Sequence, residues 1–357
     1  MSHVVCDTDW WNEPSKPGVA VSVSIAPECL DIIDDEVKKT GMEYEVIFTD
    51  LEKLIEEEEK YRTLVLLHKG AEDWTPGIYH NLKEIEERVD WLVATYAHLV
   101  SKQHLTTTQE GRKIEALVVR EAASFSKPAI WLDCGIHARE WVSPPACLYA
   151  VDKLIENSNS VDPRDNLLSV YDFYILPVTN PDGYVYSWES DRMWRKNRRP
   201  ISGEQTQASV FPGWGGSLGG QQANSKCDYG VDPNRNFPTN FYQSAGRDFD
   251  PCRESYHGDS PLSEPESQAI QRGVQIMKEK HGKGNIAAFV SIHAYSQFWM
   301  SPYGYKEGHS KDYDDHMRIM KTSVEALASV HGTQFTYGPI SEVTHNVVVG
   351  DKCDICR

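Results

Sequence analysis

The chain has 357 residues, 40% of them hydrophobic and 25% charged, the composition of a globular protein large enough for one big domain or a big and a small one. Its 53 acidic residues outweigh 36 basic ones for a net charge of -17. That balance disfavours nucleic acid and anionic membrane as partners, although a solvated surface accounts for it most simply. No apolar run reaches the roughly 18 residues of a membrane span, and the opening MSHVVCDTDWWNEPS lacks the basic start and apolar stretch of a secretory signal. Eight cysteines fit disulfides, zinc ligation or buried thiols alike.

Residues 18–60 read as a βαβα run. Val19, Val21, Val23 and Ile25 alternate as in a strand; Leu30, Ile32, Ile33 and Val37 then recur at helical spacing up to Gly41. YEVIF at 44–48 reads as a second strand, and a helix follows from Asp50. The stretch 60–78 carries Lys60, Arg62, Lys69, Pro76 and two glycines, and reads as a connector with a domain boundary near 63–75. From 81 to 100, Leu82, Ile85, Val89, Leu92, Val93 and Tyr96 share one face of a long amphipathic helix. Strands at 113–121, 128–135, 171–179 and 286–293 alternate with helical stretches near 144–156, 264–280 and 313–330. This pattern predicts one α/β domain around a mixed, mainly parallel sheet flanked by helices, with some early strands antiparallel. Residues 197–226, rich in Gly, Gln, Ser and Arg, have no period and read as a long surface loop close to functional residues.

The chemistry gathers at strand ends. His137 and Glu140 follow the strand that stops at Gly135, with Ser143 read as the N-cap and Pro144 as the first residue of the next helix. His293 ends another strand, so all three fall in the crevice where open α/β sheets place their sites. With 13 histidines, about one HxxE pair is expected by chance, so the pair counts only in its context. Two histidines and one carboxylate leave a fourth zinc position open to water, the arrangement of a hydrolytic rather than a structural site.

DCGIHAREW (133–141), VTNPDGYVYSW (178–188), RMWRKNRR (192–199), GVDPNRNF (230–237), ESYHG (254–258) and SIHAYSQFWMSPYGY (291–305) occur in this order. Together they resemble the zinc carboxypeptidases of the pancreatic A/B type, over about residues 78–343. Upstream, APECLDIIDDEVKKTGMEYEVIFTDLEKLIEEE resembles the activation segment of the corresponding proenzymes. The resemblance implies a small α+β activation domain at 1–70, a catalytic domain at 71–343 and a divergent tail at 344–357. It implies one zinc on His137, Glu140 and His293, the ligand set already known for carboxypeptidase A. Asp232 would orient His137, and Arg195 would stabilise the oxyanion. Asn234 and Arg235 would grip the terminal carboxylate of a peptide or protein, with Arg139 and Tyr295 lining the approach. Cys134 with Cys147 and Cys227 with Cys252 resemble disulfides of the family, and closing the second loop would contribute about 3–4 kcal/mol in the chain-entropy description. The implied setting is a secreted monomer, activated by a trypsin-like protease at Lys60, Arg62 or Lys69.

Both ends depart from the family pattern. The first strand and helix of the activation domain are not recognised. After FTYGPISEV (335–343) the run THNVVVGDKCDICR does not fit, and His345 falls where the family has a substrate-binding tyrosine. The specificity pocket and the general-base glutamate are expected beyond Val343, so no preferred C-terminal residue is assigned. A second reading therefore stands beside the first: a catalytically dead zinc- and peptide-binding protein, or a truncated isoform. A redox role for the CxxC of Cys353 and Cys356 lacks a βαβ setting and is set aside.

Overall fold

A computed structural model of the chain describes residues 8–11, 18, 20–66, 74–121, 126–201, 225–243 and 249–344. Lys69, His345, Cys353, Cys356 and most of the 197–226 loop lie outside them. The chain divides into two units, residues up to 68 and residues 69–343.

In the first unit, β1 (Thr8–Trp10) and β2 (Val23–Ile25) pair antiparallel. Helix α1 (Leu30–Thr40) stops at Gly41, whose φ of 70° places it in the left-handed region that glycine enters at little cost. Cys29, just before α1, is buried and disulfide-bonded. Two sequence expectations change here. YEVIF belongs to no strand among the described residues, and Tyr44, Val46, Ile47 and Phe48 are all more than half exposed. Alternation in a sequence favours an extended backbone, but a strand also needs a partner for its N–H and C=O groups. The connector starts later than expected, because α2 (Leu51–Leu66) runs through Lys60 and Arg62. Those residues pair with Glu56 at 3.6 Å and Glu59 at 3.2 Å, one helical turn back.

The second unit opens with α3 (Leu82–Thr95), where Asn81 and Glu84 form a reciprocal capping box. This helix is shorter than expected, and Val100 already begins a strand rich in Thr. The elements that follow are β3 (Val100–Thr107), β4 (Lys113–Val119), β5 (Ala129–Asp133), α4 (Ser143–Glu156), β6 (Asp172–Leu176) and α5 (Pro181–Glu189). After a single helical turn at 225–228 come α6 (Pro265–His281), β7 (Ile286–Ser291), β8 (Phe298–Ser301), α7 (Tyr313–His331) and β9 (Thr336–Pro339).

Five strands form one mixed sheet in the order β3-β4-β6-β5-β7. The early pairs β3–β4 and β4–β6 are antiparallel, whereas β6–β5 and β5–β7 are parallel. Parallel and antiparallel pairs are thus equal in number among the described strands. Side chains alternate between two cores. Leu117, Val119, Phe173 and Ile175 pack with α3, α4 and α5, while Ala116, Val118, Tyr174 and Leu176 face α6 on the other side. The central strands are therefore covered on both faces, which fixes the height of their carboxyl ends above the core. Disulfides join Cys134 to Cys147 and Cys227 to Cys252; the first ties the exit of β5 to α4.

At Gly273 in α6 a Cβ would lie 2.2 Å from the buried Trp131 ring, so the helix backbone packs directly on that ring. Gly273→Ala should overpack this contact and destabilise the unit by about 1–3 kcal/mol, read as a lower midpoint in urea. An unchanged midpoint would show that the helix can shift without cost.

Candidate metal centre and substrate site

β5 and β7 lie side by side and parallel, Asp133 opposite Ser291, so the chain leaving each strand delivers a histidine to the same place. His137 Nδ1 is 2.7 Å from Glu140 Oε1, His293 Nδ1 is 3.0 Å from Glu140 Oε2, and the two Nδ1 atoms are 3.1 Å apart. His137 and Glu140 are buried and His293 is half-buried. Two ring nitrogens facing each other this closely must share a proton or a cation. Ligands about 2.0–2.2 Å from zinc in a tetrahedron stand roughly 3.3 Å apart, near the spacings found here, so the donor set fits that ion.

The loop between His137 and the next helix is held from several sides. Gly135, at φ 62°, turns the chain out of β5. Ser143 proves to be the first residue of α4 rather than its N-cap: its hydroxyl accepts from Gly135 N–H at 2.9 Å and donates to the Glu140 carbonyl at 3.0 Å. The Ala294 N–H donates to Glu140 Oε2 at 3.1 Å. Burial alone would push the Glu140 carboxyl up, but the imidazoles of His137 and His293 hold it well below the usual range.

Asp232 stands behind this loop, fully buried. Its Oδ1 accepts from His137 Nε2 at 3.1 Å and from Asn234 N–H at 2.8 Å. Its Oδ2 accepts from Arg195 Nη2 at 2.8 Å and Nε at 3.2 Å. With Nε2 committed to Asp232, His137 presents Nδ1 to the donor cluster. Burial raises the Asp232 carboxyl and Arg195, His137 and Arg235 more than reverse this, so it stays ionised. Burial would lower Arg195, but Asp232 and Glu140 raise it, and its Nη1 lies 3.9 Å from Glu140 Oε1.

Asn234 is buried, and its Oδ1 has no hydrogen-bond partner among the described residues. Arg235 is half-buried and donates to the Asn234 carbonyl at 3.1 Å. Arg139 donates to the Met193 carbonyl at 3.2 Å, and Tyr295 is 56% exposed beyond His293. Two further groups were not singled out in the sequence. Glu254 lies 3.7 Å from Arg139, within a motif that had been noted only for its likeness. Trp141 stacks on Trp188 at 3.8 Å, with the Arg192 guanidinium 3.7 Å above its ring and donating to the Arg139 carbonyl at 2.9 Å. No spacing rule signals such a stack, because its members come from separate segments. Glu342, the carboxylate nearest the end of the described chain, pairs with His309 at 3.1 Å on the surface.

The profile described as "Zinc carboxypeptidase" matches residues 85–354, and that of the "Carboxypeptidase activation peptide" matches residues 4–58. The chain is 35% identical to carboxypeptidase A2 of Mus musculus over 344 residues, 96% of this chain and 75% of that protein. It is 35% identical to carboxypeptidase A1 of Homo sapiens over 93% of this chain and 72% of that one. The crystal structure of thrombin activatable fibrinolysis inhibitor superposes with a TM-score of 0.78 at 30% identity, covering 95% of this chain and 77% of that one. That of carboxypeptidase A from Helicoverpa armigera gives 0.80 at 26% identity, covering 98% and 79%. The chain belongs to the zinc carboxypeptidase family.

As a zinc carboxypeptidase it is a peptide hydrolase by family, with zinc as cofactor and the activation peptide of a proenzyme in its N-terminal part. In this zinc carboxypeptidase, replacing Asp232 by Asn removes the charge that His137 and Arg195 share. Zinc affinity, measured by competition with a chromophoric chelator, should fall about 10–100-fold. Unchanged affinity would mean that the Asp232 contact does not orient the ligand.

Proposed function

We propose that this chain removes single residues from the C-termini of peptides and proteins, through His137, Glu140 and His293 as zinc ligands and Arg195, Asn234 and Arg235 as anion-binding groups. The observation that carries this reading is the shared hold of Asp232 on His137, Arg195 and the Asn234 backbone, which couples the ligand cluster to the groups that would meet the substrate. Zinc, when bound, acidifies a water and polarises a carbonyl. The protein's own groups do the rest. Asp232 fixes the His137 ring and holds Arg195 charged, so that the guanidinium stands ready for negative charge developing on the scissile carbonyl oxygen. The Asn234 amide and the Arg235 fork suit a terminal carboxylate. Arg139 and Tyr295 line the approach.

One observation favours the second reading, peptide binding without turnover by the described residues alone. Glu140 and Asp232 are taken up by His137, His293 and Arg195, and among the described residues Glu342 pairs with His309 on the surface with no contact to the cluster. Both readings require recognition of a free C-terminus. A short peptide should bind the zinc-loaded chain more tightly than its C-terminal amide, by about tenfold or more, and Arg235→Ala should erase that preference. Equal binding of acid and amide by the parent protein would overturn the assignment.

The finer reading extends to processing. Residues 1–70 act as the activation domain, 71–343 as the catalytic domain and 344–357 as a tail, in a secreted monomer stabilised by disulfides. Of the three basic candidates, Lys60 and Arg62 sit inside α2, which a protease would have to unwind, so cleavage after Lys69 is favoured. Limited trypsin digestion followed by intact mass should therefore yield a fragment beginning at Gly70. Preferential cutting after Lys60 or Arg62, or within 80–190, would refute this.

A further inference from the structure

Asn197 ligates nothing, yet it joins the two segments that carry Arg195 and Asp232. Its backbone N–H donates to the Val231 carbonyl at 3.0 Å, and its side-chain Oδ1 accepts from the Val231 N–H at 2.8 Å. One residue thus satisfies both main-chain groups of the position just before Asp232. At the other end of the same amide, Nδ2 donates to Glu264 Oε2 at 2.8 Å and to Glu266 Oε2 at 2.9 Å. Turning the amide over would set an oxygen against two carboxylates and an NH₂ against the Val231 N–H, so its orientation is fixed. Asn197, Glu264 and Glu266 are all buried, where an unmatched polar group is costly.

We propose that Asn197 is a positioning residue: clamped by Glu264 and Glu266 at the start of α6, it sets the place of Asp232 and, through it, of His137 and Arg195. The proposal rests on the zinc reading above. The two clamping carboxylates are not alike. Glu264 is paired with Arg199 Nη1 at 2.9 Å, and Arg199 also engages Asp259. Glu266 has no ion pair with a cation among the described residues, and Glu264 and, more weakly, Asp182 face it as like charges. Burial pushes its carboxyl up to about 8, with Asn197 opposing and Glu264 reinforcing the shift, so at neutral pH it is protonated and the pair carries one negative charge. Because the folded value lies above the ordinary 4.5, the stability this proton supports is full below about pH 4.5 and is lost as pH rises through about 8. Above that, two adjacent carboxylates repel, and the clamp on Asn197 loosens.

The test measures the zinc dissociation constant of the full chain by chelator competition from pH 6.5 to 9.5, for the parent protein, Glu266→Gln and Asn197→Asp. Glutamine keeps the neutral acceptor and cannot ionise, so the parent should lose affinity relative to Glu266→Gln by about tenfold between pH 7 and 9.5. Effects of pH on zinc and its ligands are common to both proteins and cancel in the ratio. Asn197→Asp keeps the shape, loses both donated hydrogens and should weaken zinc about tenfold at pH 7. A merely structural role would lower thermal stability without the pH-dependent divergence. Parallel pH curves for the parent and Glu266→Gln would overturn the proposal while leaving the zinc reading intact, and this comparison stands even where Asn197→Asp fails to fold. Absence of zinc binding by the parent at every pH would overturn both.

Discussion

The site depends on one buried carboxylate. Asp232 is held ionised in the interior by Arg195, His137 and Arg235, and each of its oxygens receives more than one donor. A charge in such a place is tolerable only when its partners are fixed, and here the partners are the groups of the proposed site. The tautomer of His137, the direction of Arg195 and the turn that presents Asn234 are thereby one linked choice. Losing any one partner would leave the carboxylate underpaired, so the arrangement forms as a whole.

The sheet supplies the frame on which that choice is made. Strands β5 and β7 are neighbours with their ends level, and strand β6 between β4 and β5 carries Thr179 and Asn180 beyond its carboxyl end. The buried Asn180 amide donates to the Ile136 carbonyl at 3.2 Å and to the Lys196 carbonyl at 3.0 Å. The ligand loop and the Arg195 segment are thus stitched together by backbone groups as well as by charge.

Much of this was legible in the sequence, for identifiable reasons. The strands that stop two residues short of Gly135 and His293, and the helices that begin at Ser143 and after Glu264, follow from short-range periodicity and from proline and glycine signals. The residues now gathered at the site lie in contiguous motifs whose order carried the family likeness. What escaped was whatever depends on pairing across the chain. YEVIF has the alternation of a strand but no strand partner among the described residues; the basic run at 60–62 looked like a linker until its helical ion pairs with Glu56 and Glu59 were seen. The polar hub at Asn197 and the Trp141–Trp188–Arg192 stack draw on segments far apart in sequence, and no local pattern announces them.

The ligand set also has a bearing on how the protein is made. His137 and Glu140 emerge early in synthesis, whereas His293 arrives only after about 150 further residues and with strand β7. Closing so long a loop costs entropy that is recovered only when β7 docks beside β5. The three donors of the proposed metal site therefore come together only when β7 lies beside β5.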